Sequence, residues 1–119
     1  MNTITKGKRG EDIALQYLQE QGMKLIARNW RSSHKELDIV VDNGEFLRVV
    51  EVKSLYYPND QEPANAVDYH KQKLIISATR QFITKHEIQK EVVFDIISIV
   101  FNGEHHQLNY IPNAFTPNW

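Results

Sequence analysis

The stretch at residues 47–54, LRVVEVKS, decides the fold. Its apolar positions are mostly β-branched, as in a buried strand: Leu47, Val49, Val50 and Val52. Side chains two residues apart on a strand share a face, so Glu51 and Lys53 point the same way. An acid and a base therefore lie side by side in a segment whose other residues favour burial.

Length and composition indicate one domain spanning residues 1–119, with 41% hydrophobic and 24% charged residues. The absence of cysteine excludes a disulfide scaffold and any cysteine-based zinc site or nucleophile. No apolar run approaches the ~20 residues of a membrane span, and the polar start is unlike a signal peptide, so we expect a cytoplasmic protein without membrane contact. The net charge of −1 argues against a nucleic-acid coat protein, although a local basic patch can still bind phosphates.

Hydrophobic periodicity predicts two helices and four or five strands. We expect helices at 7–22 and about 66–85, and strands at 23–30, 36–42, 47–54 and 92–101, with a short final strand within 105–115. The residues DNG at 42–44 indicate a hairpin turn, so the second and third strands should pair antiparallel. The order α-β-β-β-α-β, with the short final strand after it, predicts an α/β fold in which helices flank a mixed sheet.

Each predicted helix carries a charged residue on its inner face. On the first helix, Glu11 extends the apolar stripe of Ala14 and Leu18. On the second helix, Lys71 falls inside the stripe made by Val67, Leu74, Ala78 and Phe82.

The opposite side of the second helix carries two isoleucines, Ile76 and Ile83. They predict either a homodimer through this helix or two isolated exposed side chains, which are common.

The predicted hairpin brings two carboxylates together. Side chains alternate along the second strand. One face of the strand carries Glu36, Asp38 and Val40, and the other carries Leu37, Ile39 and Val41. Antiparallel pairing then puts Asp38 opposite Glu51, with Cβ atoms roughly 4.5–5.5 Å apart.

Two carboxylates at that distance repel each other unless a proton or a cation lies between them. A hard divalent ion with oxygen ligands, Mg²⁺ or Mn²⁺, suits Asp38 and Glu51 best. Lys53 can neutralise the site and help to activate a water that attacks a phosphodiester. Glu11 and Glu36 are aimed at the same region, where either could hold a second metal or a metal-bound water.

This pattern resembles the Asp…Glu-X-Lys core of the PD-(D/E)XK nuclease superfamily, which has the restriction-endonuclease-like fold. More narrowly, the chain is similar to the YraN family of small bacterial proteins, itself similar to archaeal Holliday-junction resolvases. The matching blocks are KGKRGEDIALQYLQEQGMKLIARNWR, KELDIVV, VVEVKS, AVDYHKQKL and NAF, in that order.

The resemblance implies Asp38 and Glu51 as metal ligands, Lys53 as the catalytic lysine, Glu11 as a helix-borne carboxylate and Glu36 as an accessory one. It also places Lys71 where such nucleases often carry a basic or amide residue.

Two residues depart from the family pattern. Lys35 stands where a glycine is usual, which puts the local turn in question. Val93 stands where an arginine is usual, which removes a phosphate or ion-pair contact.

Several of these residues also have structural readings. Glu-X-Lys alone is common on solvated strand edges, Glu36 could simply begin a strand, and Lys71 could extend its charge to solvent from the helix. Asp95 is expected to form a structural ion pair. The pair His105-His106 suggests a polar turn and not a zinc site.

The basic residues near the ends of the early elements also leave two readings open. They either contact phosphates, with Trp30 available for stacking, or form a solvated rim: Lys6, Lys8, Arg9, Arg28, Arg31, His34 and Lys35.

The sequence leaves three functional hypotheses. The first is a metal-dependent nuclease that hydrolyses phosphodiester bonds, with DNA favoured over RNA and branched or repair intermediates as substrates. The second is a non-catalytic or partner-dependent nucleic-acid-binding module with the same fold. The third is a structural or protein-interaction domain, which rests on Ile76 and Ile83.

Overall fold

The computed structural model describes residues 3–33, 35–58, 67–117 and 119, and the side chains from Lys8 onward. The described elements are two helices and five strands: α1 (Thr3–Glu20), β1 (Lys24–Arg31), β2 (Glu36–Asp42), β3 (Leu47–Tyr56), α2 (Tyr69–Lys85), β4 (Val92–Asn102) and β5 (His105–Phe115). The predicted α/β class is confirmed. Within the described residues, neither helix is long and apolar enough to cross a membrane.

The strands form one mixed sheet in the order β1-β2-β3-β4-β5. Neighbouring strands are antiparallel except β3 and β4, which are parallel because the chain crosses over through α2 between them. The predicted β2–β3 hairpin is confirmed. Its turn is closed by Asn43, whose Oδ1 accepts hydrogen bonds from the backbone N–H groups of Glu45 and Phe46.

Each face of the sheet has its own core. One core forms under α1, around the fully buried Ala14 and Leu18 of that helix, and includes the strand residues Ile39, Val41, Val50, Ile97 and Ile99. The other forms under α2, around Ile75 and Phe82, and includes Leu37, Val40, Val49, Phe94 and Ile96. The central strands β3 and β4 are therefore covered on both faces, as the apolar run in β4 predicts.

Strand alternation is interrupted at Asn29, whose φ of 52° lies in the left-handed region. Ala27 and Trp30 are three residues apart, yet both pack against the α2-side core. Leu37 is the ladder partner of Trp30 and packs on that side too. The expectation that Leu37 shares a face with Ile39 and Val41 is therefore wrong.

The second helix begins later than predicted. The expected start near Ala66 lies outside the described residues, and α2 begins at Tyr69. Asp68 caps it: its backbone is extended and its side chain accepts a hydrogen bond from the N–H of Lys71 at 2.9 Å. Val67 is buried as expected, but it precedes the helix.

Lys71 does not lie in the buried stripe; it is exposed. It shares a helix face with Ile75, Ala78 and Phe82, which lie 4, 7 and 11 residues further along and are buried. Lys71 belongs to the first turn, and the buried residues of the helix begin only at Ile75. Ala78 and Phe82 are buried as predicted, but Ile75 takes the core position expected for Leu74, which is only half-buried.

Two further expectations change. The final strand β5 is not short: it has 11 residues, as many as β4, and pairs with β4 along most of its length. Ile76 and Ile83 are only partly exposed and pack against the α2-side core, so each already has an intramolecular partner.

Gly10 lies where α1 passes close to Ser54 of β3. A Cβ at Gly10 would stand 2.2 Å from Ser54 Oγ but 3.5 Å from Ser54 Cβ. We expect Gly10→Ala to be less favourable in wild type than in the Ser54→Ala background, because Ser54 Oγ must turn away from the new methyl group, which offsets part of the roughly 1 kcal/mol that alanine gains over glycine within a helix. In the Ser54→Ala background the same substitution should be tolerated. Urea unfolding of the four proteins in this cycle measures the effect, and equal changes in both backgrounds would contradict it.

Candidate functional site

The predicted carboxylate pair lies where β2 meets β3. The ladder pairs Ile39 with Val50, so one further step sets Asp38 beside Glu51. Asp38 Oδ2 accepts a hydrogen bond from the N–H of Val52 at 2.9 Å, which fixes this carboxylate against β3. Glu51 is only 7% exposed, and its Oε2 is buried without a hydrogen-bond partner among the described residues. A buried carboxylate oxygen without a hydrogen-bond partner is stabilised when it binds a proton or a cation.

Burial and neighbouring carboxylates shift the pKa of both groups, and a hydrogen bond between the two side chains lowers the pKa of Asp38 and raises that of Glu51. Burial raises the pKa of Asp38 to about 6, opposed by the hydrogen bond from Val52, while the charge of Glu11 adds to the rise. Burial, together with the charge of Asp38, raises the pKa of Glu51 to about 8. The pair therefore tends to retain a proton at neutral pH when no cation is bound.

Lys35 provides a cation at this site. Its Nζ lies 3.0 Å from Glu51 Oε1. Although burial lowers the pKa of Lys35, the attraction of Glu51 outweighs it and raises the pKa overall. The sequence reading treated Lys35 as a departure at a turn and as one of the basic residues near the ends of the early elements, not as a contact of Glu51. The structure makes it a direct contact of Glu51.

Glu11 and Glu36 are brought together through Asn29. The Nδ2 group of Asn29 donates to Glu11 Oε1 and to Glu36 Oε1, each at 2.9 Å. Asn29 is also the residue whose left-handed backbone interrupts the alternation of β1. The sequence reading did not single out Asn29, although asparagine is one of the few residues that adopt this backbone readily.

Arginines add ion pairs to these two carboxylates: Arg28 shares Glu11 Oε1 with Asn29, and Arg31 binds the other oxygen of Glu36, Oε2. Arg28 pairs with Glu11 at 3.5 Å and Asp12 at 2.7 Å, and Arg31 pairs with Glu36 at 3.1 Å. The described residues contain no group of three His, Asp or Glu side chains arranged to hold a metal ion. The structure thus joins Asp38 to Glu51, whereas the role of Glu11 and Glu36 as further ligands stays a prediction.

Lys53 lies on the same side of β3 as Glu51, two residues further along, as predicted. It is half-buried and forms no ion pair or hydrogen bond with the described residues. Its ladder neighbour on β4 is Ser98, which is fully buried and whose Oγ also lacks a partner among those residues. Lys53 is therefore available to a ligand that enters beside Glu51.

The residues proposed to contact nucleic acid differ in availability. Arg28 and Arg31 are engaged by the acids described above, and Arg9 lies over the ring of Phe101 at 5.0 Å. Lys8 and Lys71 are exposed. Trp30 is not a free stacking platform, because its ring packs edge-on against Phe82 with the centroids 5.2 Å apart.

Asp38 and Glu51 could hold a hard divalent ion. Mg²⁺ is commonly held by one or two carboxylates, with water and substrate phosphate completing its shell, so a pair suffices. The partnerless Glu51 Oε2 and the raised pKa values of both groups fit a position for a cation. Lys35 would have to release Glu51 Oε1 if the ion took both oxygens.

The raised pKa of Glu51 predicts how stability depends on pH. Folded Glu51 keeps its proton to about pH 8, whereas the unfolded chain loses it near 4.5. In chelator, Glu51 should therefore lower the free energy of unfolding progressively between these two values as pH rises. Urea unfolding of wild type and Glu51→Gln at several pH values across that interval measures the effect. The free energy of unfolding should fall more steeply with rising pH in wild type than in Glu51→Gln. Parallel profiles would show that the pKa of Glu51 is not raised in the folded protein.

The fold and site together define a small α/β domain that carries a buried carboxylate pair beside two lysines. A model of the "Uncharacterised protein family UPF0102" matches residues 10–99, which include all five residues of the candidate metal and lysine set: Glu11, Glu36, Asp38, Glu51 and Lys53. The chain belongs to the UPF0102 family. This is the YraN family, which the matching blocks of the sequence had indicated.

Individual relatives cover most of the chain. A UPF0102 protein of Persephonella marina is 39% identical over 111 residues, 92% of each chain. One from Porphyromonas gingivalis is 38% identical over 112 residues, 92% of this chain and 83% of the relative. The UPF0102 protein lpg2994 of Legionella pneumophila is 35% identical over 115 residues, 95% of this chain and 96% of the relative.

Proposed function

We propose that this protein is a divalent-metal-dependent nuclease that hydrolyses phosphodiester bonds in nucleic acid, with DNA as the favoured substrate. The observation that carries the proposal is the Asp38–Glu51 pair, in which Glu51 is buried and its Oε2 has no partner among the described residues. The resemblance of this pair and Lys53 to the PD-(D/E)XK core adds support.

The ligand chemistry supports Mg²⁺ or Mn²⁺ as the cofactor, held by Asp38 and Glu51. Such an ion stabilises the charge that develops on a phosphate and lowers the pKa of a bound water. The chain's own residues supply the rest. The N–H of Val52 orients Asp38, and Lys53 extends from the same side of β3 as Glu51 to a phosphate oxygen or the attacking water.

The glutamates on either side of Asn29 have an indirect part in this proposal. They hold the end of β1 against α1 and β2 through Asn29 and the two arginines, and so fix the edge of the site: Glu11, Glu36, Arg28 and Arg31. A binding module without turnover is the second candidate. It is favoured by the Lys35–Glu51 ion pair, which occupies an oxygen that a metal would use.

A cleavage assay tests the proposal. Labelled duplex, single-stranded, flap and four-way-junction DNAs are incubated with the protein in Mn²⁺, in Mg²⁺ and in chelator, with Asp38→Asn run in parallel from the same purification. We expect metal-dependent cleavage that is lost in Asp38→Asn, because the variant removes one of two ligand charges and nearly preserves side-chain shape. Mn²⁺ binding is measured by calorimetry on both proteins.

Each outcome of this assay is informative. Cleavage that survives in Asp38→Asn would come from a contaminant or another site and would refute the assignment. Metal binding without cleavage of any substrate would favour the binding module. Absence of metal binding would refute the metal centre itself. The predicted homodimer through α2 is tested separately by sedimentation.

A further inference from the structure

The charge of this protein is unevenly distributed. The chain has a net charge of −1, yet α2 contains four of its 14 Lys and Arg residues and none of its 15 Asp and Glu residues. Its basic residues are Lys71, Lys73, Arg80 and Lys85. None of them forms an ion pair with the described part of the chain, whereas Arg28, Arg31, Arg48 and Lys90 all do. Half of the basic side chains that form no ion pair within the described part of the chain therefore lie on this helix; the others are Lys8, Arg9, Lys24 and Lys53.

A groove runs along the outer side of α2. A cavity of about 250 Å³ is lined by Tyr69, Lys73 and Ile76, and one of about 900 Å³ is lined by residues that include Ile83 and Trp119. Arg80 and Thr116 line both cavities, so the two adjoin. The groove is bounded by α2 on one side and by the segment after β5 on the other.

Two exposed aromatic rings flank this groove, each with a cation over it. Lys73 Nζ lies 4.7 Å from the centre of the Tyr69 ring, and the guanidinium of Arg80 lies 5.4 Å from that of Trp119. Tyr69 is 68% exposed and Trp119 is 55% exposed. Lys73 and Arg80 are seven residues apart, which is about 10.5 Å along a helix. Cations that track phosphates, interleaved with rings that stack on bases, are the features by which proteins bind single-stranded nucleic acid.

The groove begins at the end of the sheet that carries the candidate site. The helix α2 runs antiparallel to β3, so its first residue, Tyr69, lies at the end of the sheet where β3 finishes beyond Lys53. From there the groove leads away along the helix toward Arg80 and Trp119. Glu91 is the one acidic residue among the described lining residues of the two cavities, and it lies at the far end.

We propose that this groove binds a single strand of nucleic acid, with Lys73 and Arg80 contacting phosphates and Tyr69 and Trp119 stacking on bases. This inference rests on the proposed function in one respect: the bound strand is taken to be the part of the substrate that leads away from the site of cleavage. Charge complementarity favours this occupant over a protein, because two cations line the groove, each beside an exposed aromatic ring, and the one acid among its described lining residues lies at the far end.

Binding in chelator tests the groove without any need for catalysis. Fluorescence anisotropy of a labelled oligothymidine of about 15 nucleotides is titrated at several salt concentrations. Lys73→Ala and Arg80→Ala are compared with Lys24→Ala, which removes one exposed charge from β1. We expect each groove variant to weaken binding and to reduce the slope of log affinity against log salt by roughly 0.7, with no such change for Lys24→Ala. Arg80→Lys should keep most of the slope, and a thermal melt confirms that each variant folds.

Tryptophan fluorescence supplies a second readout. Of the two tryptophans, Trp30 is packed against Phe82, so quenching by oligothymidine should come from Trp119 and vanish in Trp119→Phe. Trp119→Ala should weaken binding about tenfold, the loss of one stacked base. The proposal is overturned by groove variants that behave like Lys24→Ala, by unquenched Trp119 at saturation, or by the absence of binding. Equal displacement by polyglutamate would make the groove a site for acidic peptides. If wild type binds oligothymidine in this way but cleaves no substrate, the proposed nuclease activity is refuted and the groove proposal stands.

Discussion

Lys53→Ala is expected to lower metal-dependent cleavage by about 10²–10⁴-fold, the usual contribution of a positioned proton-transfer or charge-stabilising group, while Mn²⁺ binding persists. Lys53 lies two residues beyond Glu51 on the same side of β3 and has no partner among the described residues, so its removal takes nothing from the Asp38–Glu51 pair. Single-turnover cleavage, together with calorimetric Mn²⁺ titration, separates loss of chemistry from loss of metal.

Lys35→Ala is the matched control for Lys53→Ala, because it removes the other lysine from the same site. Lys35 contacts Glu51 Oε1 at 3.0 Å, so its ammonium group competes with a metal ion for that oxygen. We expect Lys35→Ala to bind Mn²⁺ more tightly than wild type and to keep its cleavage activity. If Lys35→Ala abolished cleavage and Lys53→Ala did not, the catalytic role assigned to Lys53 would belong to Lys35.

The contrast between these two lysines shows how far the sequence alone could lead. Lys53 is found by strand alternation, because β3 is a regular strand without a bulge in either of its ladders. Lys35 lies before β2, where no periodicity applies, and its contact with Glu51 depends on how the chain enters the strand. Asn29 was missed for a related reason. Its left-handed backbone shifts the alternation of β1, and residue pattern alone does not reveal such a shift.

The fold was more predictable than the site because its elements are long and strongly patterned. The β2–β3 hairpin, the apolar β4 strand and the α2 crossover all follow from periodicity and one turn motif. The errors fall at element ends. Lys71 has the helical phase of a core residue but lies in the first turn, where the buried residues have not yet begun. The length of β5 depends on its pairing with β4, which its mixed polar sequence does not reveal.

Asp95→Ala is expected to lower the free energy of unfolding by about 3–5 kcal/mol, because it leaves a buried charge without its partner. Asp95 is completely buried, and its carboxylate accepts from Arg48 at 3.1 and 3.3 Å, from the Tyr110 hydroxyl at 2.7 Å and from the Asn113 N–H at 2.8 Å. The predicted structural ion pair is thus confirmed. Urea unfolding measures the loss, and a change below about 1 kcal/mol would contradict it.

The position of Asp95 explains why three strands depend on it. The β4–β5 pairing shifts register between Phe94 and Ile96, so Asp95 lies at an irregularity where the ladder does not satisfy the N–H of Asn113. Arg48 stands beside Val93 in the β3–β4 ladder, and so the ion pair expected from an arginine at 93 comes from the neighbouring strand.

Substitution of both partners tests this account. Arg48→Met with Asp95→Asn should cost less than the sum of the two single changes, since neither charge is then left buried alone. Additive losses would show that Asp95 acts on β5 independently of Arg48. In either case the effect should spare Mn²⁺ binding per folded molecule, because the network holds β3, β4 and β5 together without touching Asp38 or Glu51.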